Sequence, residues 1–204
     1  KKLSDDVPTR VLAEKKKRTI YIPYMCDHGR MIAASMKANG VLAEALPMAN
    51  KETVDVGRKF TSGKECYPAI LTTGDIVKKA MSPDFDPEAS AFFMATASGP
   101  CRFGQYNKFH RMVLDELGLP HVPLYTMDQG ENYDEDTKNL GTNFRKLAWN
   151  GIMYTDLLQK LQRETRPYEL HKGEADSLYE KYVKKAELAL EKHLNLVEIA
   201  SEAN

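Results

Sequence analysis

Cysteine is scarce in this chain of 204 residues: there are three, far apart, and no Cys-x-x-Cys pair among them. An odd, widely spaced set argues against a disulfide framework. Without close pairs, the spacing supports neither a structural zinc site nor a ferredoxin-type cluster. An excess of one charge is also missing. Lys and Arg total 29, as do Asp and Glu, so no global attraction to nucleic acid or an anionic membrane is expected. No apolar run approaches the length of a membrane span, and no secretory signal opens the sequence. There is no Gly-x-x-x-x-Gly-Lys-Ser/Thr loop and no Gly-x-Gly-x-x-Gly turn. Internal repeats and low-complexity blocks are absent too. Free thiols in a chain without a signal fit a reducing cytoplasm. The sequence starts at Lys1 and still looks helical at its far end, so a piece of a longer polypeptide is expected.

What is present is alternation. Residues 1–17 are charged and lack apolar periodicity, and read as a linker or lead-in. Residues 18–25 read as a strand with Pro23 near its end, followed by a turn at Cys26-Asp27-His28-Gly29. A helix over 31–38 stops at Asn39-Gly40, and a short strand follows at 43–48. Two helices come next, over 51–60 and from Cys66 to Ala80, with Pro68 in the first turn of the second. Gly74 within that helix marks a close approach of backbone to something. A strand at 91–97, a helix over 106–117 and a strand at 121–126 complete the pattern. An acidic loop over 128–142 then leads to helices at 144–163 and 174–202.

This order implies an α/β fold: a parallel-sheet, Rossmann-like or flavodoxin-like three-layer core over residues 18–142. Additional C-terminal helices, within 143–204, are expected to pack on it. In such sheets the ligand site lies beyond the carboxyl ends of the strands.

All three cysteines fall beside turns and helix starts. Cys101 follows an apolar strand and a Ser-Gly-Pro turn, at the start of a helix. A thiol there lies among unpaired N–H groups at the positive end of the helix dipole, which favours the thiolate. Cys26 leaves the first strand, and Cys66 precedes a helix on the same predicted edge. Three thiols can therefore converge on one crevice although they stand 40 and 35 residues apart. As metal ligands they suit zinc, with His28 or water as fourth ligand, or three irons of a [4Fe–4S] cluster. A catalytic pair, Cys26 with His28 or Cys101 with His110, is a third arrangement and leaves the other cysteines unexplained. The plain alternative is that each is a small buried hydrophobe.

Three runs carry a resemblance: Tyr24-Met25-Cys26-Asp27-His28-Gly29-Arg30; Gly63-Lys64-Glu65-Cys66-Tyr67-Pro68-Ala69 with Thr73-Gly74-Asp75 behind it; and Gly99-Pro100-Cys101-Arg102-Phe103-Gly104-Gln105-Tyr106. In this order they resemble the C-terminal region of the large activator proteins related to 2-hydroxyacyl-CoA dehydratases, the CoA-substrate-specific enzyme activases. That region is similar to the cluster-bearing dehydratase subunits and to double-cubane cluster proteins. The resemblance spans roughly residues 18 to 165. It implies that Cys26, Cys66 and Cys101 bind a [4Fe–4S] cluster, in some relatives part of a double cubane, within an anaerobic low-potential electron-transfer system. Such a cluster can be lost in an aerobic preparation. The implied partners are an ATPase domain, on the same or another protein, and a dehydratase-like acceptor, with a homo-oligomer as a further option. Nothing in this chain looks like the ATPase, and one set of three cysteines would need a second chain or domain to make a double cluster.

An anionic cluster calls for compensation. Arg102 and Lys64 flank the proposed ligands, Gln105 belongs to the same run as Arg102, and His28 is open to roles as fourth ligand, proton donor or turn residue. Glu65 reads as a first-turn carboxylate, and Tyr24, Tyr67 and Tyr106 as walls of the crevice or as core. Trp149 and the methionines read as core, with the periodic apolar positions of the last two helices. The competing function is a cluster-free docking domain for an ATPase or dehydratase partner, using the helix over 174–202 and the loop Asp128–Asp136.

Overall fold

Alternating side chains in two short strands build the middle of the molecule. In the computed structural model, which describes residues 18–127, 140, 143–194, 196 and 201, these are β1 (Thr19–Ile22) and β3 (Ser90–Phe93). They pair in parallel, with Ile20 opposite Ala91. β2 (Ala43–Ala45) adds in parallel outside β1, and β4 (Leu124–Tyr125) outside β3. The sheet order is therefore β2-β1-β3-β4, all strands parallel, with the order of winding reversing between β1 and β3. Helices cover both faces of this parallel sheet, so the α/β expectation holds.

The period-2 pattern sorts the two faces. Ile20, Ile22, Ala91 and Phe93 point one way, onto Ala33 and Met36 of α1 (His28–Ala38) and onto Phe144 and Ala148 of α5 (Phe144–Thr165). Tyr21 and Phe92 point the other way, onto Ile76 of α3 (Tyr67–Ala80) and Leu114 of α4 (Tyr106–Glu116). Because both faces are buried, the strands read as continuous apolar runs.

α2 (Lys51–Lys59) is started by a capping box, with Asn50 Oδ1 accepting from Thr53 N–H. It packs tightly on α3. A Cβ at Gly74 would collide with the Thr53 carbonyl, the close approach that this glycine signals in the sequence.

An outer helix, α6 (Glu174–Glu191), closes over α1 and α5 through Tyr182, Val183, Ala186 and Leu190, which meet Met31, Tyr154 and Leu158. A long-range ionic clasp joins these layers, in addition to the Lys37–Glu191 pair at 3.1 Å. Arg30 of α1 donates to both oxygens of Glu187 (2.7 and 2.9 Å) and to both of Glu180 (2.9 and 3.0 Å). Beside it, the Tyr179 hydroxyl donates to Asp27 Oδ2 at 2.6 Å.

Several expectations need correction. Trp149 is 64% exposed rather than core, and with Met153 and Leu157 it lies on the outer side of α5. Met31, Met36 and Met94 are fully buried, whereas Met48, Met81 and Met112 are exposed. Leu178 and Leu194, which the periodicity of the last helix places in the core, are also exposed. That helix is shorter than its pattern suggests. It ends at Glu191, and His193 takes a positive φ of 57°. The face of α6 formed by Tyr182, Val183, Ala186 and Leu190 is already used within the chain. The acidic loop Asp128–Asp136 lies outside the described residues.

Candidate functional site

All three cysteines are free and exposed, and all three occupy the same kind of backbone seat. The carbonyl of each accepts an N–H from three residues on: Cys26 from Gly29 (3.0 Å), Cys66 from Ala69 (2.9 Å) and Cys101 from Gly104 (3.2 Å). Each of those third residues is small and buried. Cys66 is the extended N-cap of α3, with φ −68° and ψ 151°. Cys101 is the extended N-cap of a 3-10 turn (Arg102–Gln105) that runs into α4, with φ −72° and ψ 130°. Neither thiol hydrogen-bonds back to its helix, so the first N–H groups of both turns remain available to an anion.

Topology puts the seats on one edge. Cys26 lies past the end of β1 and Cys101 past the end of β3, the two strands that flank the reversal of sheet order. α3 runs back against the sheet toward β3, so its N-terminus and Cys66 lie on that edge as well. This is the crevice where ligands of open parallel sheets bind.

Side-chain contacts join two of the seats closely. Arg102 Nη1 donates to the Lys64 carbonyl at 3.0 Å, tying the Cys101 segment to the Cys66 segment. The Tyr106 hydroxyl is hydrogen-bonded to Cys66 Sγ. Burial first, then that bond and the negative character of Cys66 and Cys101, raise the Tyr106 phenol well above its ordinary range. It stays protonated beside two thiols. Beneath it, Ala69, Met94 and Tyr106 form a small separate core.

Cys26 has other neighbours. His28 Nδ1 lies 3.1 Å from Cys26 Sγ, and His28 Nε2 lies 2.8 Å from Asp156 Oδ1 on α5. Both ring nitrogens are therefore engaged, Nδ1 with Cys26 and Nε2 with Asp156. It is the first residue of α1, and the cap position before it is Asp27, which makes no side-chain cap bond. Asp27 instead accepts from the Tyr24 and Tyr179 hydroxyls. Burial, followed by this bond to Asp27, pushes the Tyr24 phenol up to about 12. The Tyr24 backbone N–H donates to Asp75 Oδ2 at 3.0 Å, fixing the exit of β1 against α3.

The sequence-predicted residues thus separate into two groups. Lys64, Arg102 and Gln105 converge on a cavity of about 300 Å³ that also borders Cys66. His28 belongs with Cys26 and Asp156. The Cys101–His110 pair does not form: His110 is fully buried, its Nε2 faces Thr72 Oγ1 at 3.2 Å, and burial pushes its pKa down to about 3. Tyr67 is 54% exposed and so not part of the core, whereas Tyr106 is both core and site. Glu65 lies before the helix rather than in its first turn, and accepts from the Ser62 hydroxyl at 3.0 Å.

Asp156 and Tyr179 were invisible to sequence reasoning, because their partners lie on the far side of the chain with no periodic link. Gly104 did carry a signal: Cys-x-x-Gly or Cys-x-x-Ala recurs at all three cysteines. At Gly104 a Cβ would collide with the Ala97 carbonyl, so only glycine lets the Cys101 turn close over the end of β3. Gly104→Ala should therefore cost about 1–3 kcal/mol, read as a lower urea midpoint. It should also change the alkylation rate of Cys101 more than that of Cys66. Unchanged stability and unchanged Cys101 reactivity would show that the turn tolerates the methyl group.

Among the described residues, no three His, Cys, Asp or Glu side chains are gathered closely enough to hold a single metal ion as they stand. The donor set itself suits a soft metal: three free thiols, exposed, with helix-start N–H groups near two of them. Also among the described residues, no helix is long and apolar enough to cross a membrane. No family model, curated protein or solved structure matches the chain.

Proposed function

We propose that this chain is an iron–sulfur module of a low-potential electron-transfer system, with Cys26, Cys66 and Cys101 as ligands to a [4Fe–4S] cluster. The observation that supports this best is the threefold repetition of one backbone seat, with its buried small residue three positions on, along one edge of a parallel sheet. When bound, the cluster supplies one-electron transfer. The protein's own contribution is positional. His28, held by Asp156, orients Cys26; Tyr106 donates toward Cys66; and the starts of α3 and of the Cys101 turn direct N–H groups to the anionic side. Arg102 and Lys64 add positive charge nearby.

On this reading the chain works in a reducing cytoplasm. It receives electrons from an ATPase-driven donor and passes them to a dehydratase-like acceptor, as the sequence resemblance implies. A zinc site on the same thiols is the nearest competitor, and metal analysis separates the two. Anaerobic reconstitution should give a coloured protein with about four irons and matching sulfide per chain. Ser at any one of the three cysteines should sharply lower that content. A colourless, iron-free product, or stoichiometric zinc that iron cannot replace, would overturn the proposal.

A further inference from the structure

Beside Cys66 lies a cavity of about 300 Å³ lined by Lys64, Arg102, Gln105, Tyr106 and Phe109, with Glu65 and Ala69 completing the wall. Cys26 and Cys101 do not line it, so it is a space adjoining the thiol edge on one side only. Its inner surface is mainly apolar, supplied by Phe109, Ala69 and the ring of Tyr106. Its polar groups are few and of one prevailing sign. Lys64 and Arg102 against Glu65 leave one net positive charge in the lining. The Glu65 charge is also partly spoken for, since backbone N–H groups first, and the Ser62 hydroxyl, hold its carboxyl below the usual range. Arg102 is not loose: one of its N–H groups is anchored on the Lys64 carbonyl at 3.0 Å, which sets the guanidinium over this space. The N-terminus of α3 opens beside the same wall, at Cys66.

An apolar body with a fixed guanidinium, an ammonium and an amide at its mouth is suited to one class of ligand. We propose that this cavity binds a small organic monoanion, a carboxylate with a short apolar tail, with the anionic end on Arg102 and Lys64 and the tail against Phe109 and Tyr106. The volume is at the lower end of ordinary ligand pockets. Taking roughly 30 Å³ per water-sized group, it admits about ten heavy atoms. A bound tail would pass alongside the Cys66–Tyr106 contact, so occupancy is coupled in space to one thiol. The proposal goes beyond the iron–sulfur reading and does not depend on it, because Cys66 is the one proposed cluster ligand in the lining and the anion-binding groups are Arg102 and Lys64.

The test uses the full chain, reduced and metal-free, and follows binding of hexanoate by titration calorimetry. Hexanamide, the uncharged counterpart, and acetate, the anion without a tail, are the controls. Hexanoate should bind at least tenfold more tightly than either, since both the charge-assisted bond and tail burial contribute. Arg102→Gln should weaken hexanoate tenfold or more with only a small change in the thermal melt, since the side chain and its bond to the Lys64 carbonyl are exposed. Lys64→Gln should weaken it less. Equal binding of hexanoate and hexanamide, no binding of hexanoate at all, or an unchanged affinity in both Arg102→Gln and Lys64→Gln would each overturn the proposal. Iron content is measured separately, so failure of the cluster reading leaves this result standing, and the converse also holds.

Discussion

Replacing Arg30 by Met should lower the stability of this protein by about 3 kcal/mol, and its melting temperature by roughly 6–12 °C. The guanidinium is only 17% exposed and makes four charge-assisted hydrogen bonds, two to Glu187 and two to Glu180. Both carboxylates, through their bonds to it, raise the Arg30 pKa further above its already high value. Met keeps much of the aliphatic stem but leaves Asp27, Glu180 and Glu187 without their shared cation, Glu180 retaining only the exposed Lys184 at 3.6 Å. Removing one partner of a buried ionic cluster costs about 3–5 kcal/mol. Glu180 is 43% exposed, so solvent screens its share and the lower end of that range is expected. The effect should spread along α6, weakening the Tyr179–Asp27 bond next to Cys26. Thermal and urea unfolding measure it directly. A melting temperature within 2 °C of the parent, roughly the resolution of such a comparison, would show that Arg30 contributes no more than a surface pair.

Asp75 should make the protein less stable as pH rises, and Asp75→Asn should remove that dependence. The side chain is 6% exposed, and burial pushes its pKa up from 3.8 to about 7 against the opposing pull of the Tyr24 N–H and Lys78. The sign follows from proton counting. Between the unfolded and folded values the native state holds the extra proton, so stability is greatest below the unfolded value and falls as pH rises toward 7. Asn keeps the acceptor for Tyr24 and carries no charge. The advantage of the variant over the parent should therefore grow by about 2–3 kcal/mol between pH 5 and pH 8. Comparing the two proteins at each pH matters because His110 works in the other direction. Buried and neutral in the fold, it costs stability as pH falls below 6.5, and that term cancels in the difference. A constant difference across the range would mean that Asp75 is ionised in the fold at pH 5.

These two residues show where reading the sequence stops. Strands and helices were legible because burial on both faces leaves apolar runs such as Ala91-Phe92-Phe93-Met94, and because Pro68 marks a helix start. The edge carrying the cysteines was legible too, since alternation of strand and helix fixes which ends meet. Trp149 was misread because helical periodicity finds an apolar stripe without saying whether anything covers it. Arg30 with Glu187, and His28 with Asp156, could not be found, because ion pairs and hydrogen bonds between distant helices have no period. The same holds for Asp75, whose carboxylate resembles any other until the exit of β1 is placed against it.

The pairing of β1 with β3 also fixes a time order. Cys26 leaves the ribosome well before Cys101, with three helices and two strands between them, and neither has its final surroundings until Thr19 lines up with Ser90. In an emerging or unfolded chain the three thiols are independent, each open to whatever oxidant or metal it meets. On the iron–sulfur proposal, the three seats exist as one edge only once the strands have paired, so a destabilised variant would lose the cluster and expose its thiols to oxidation in a single event.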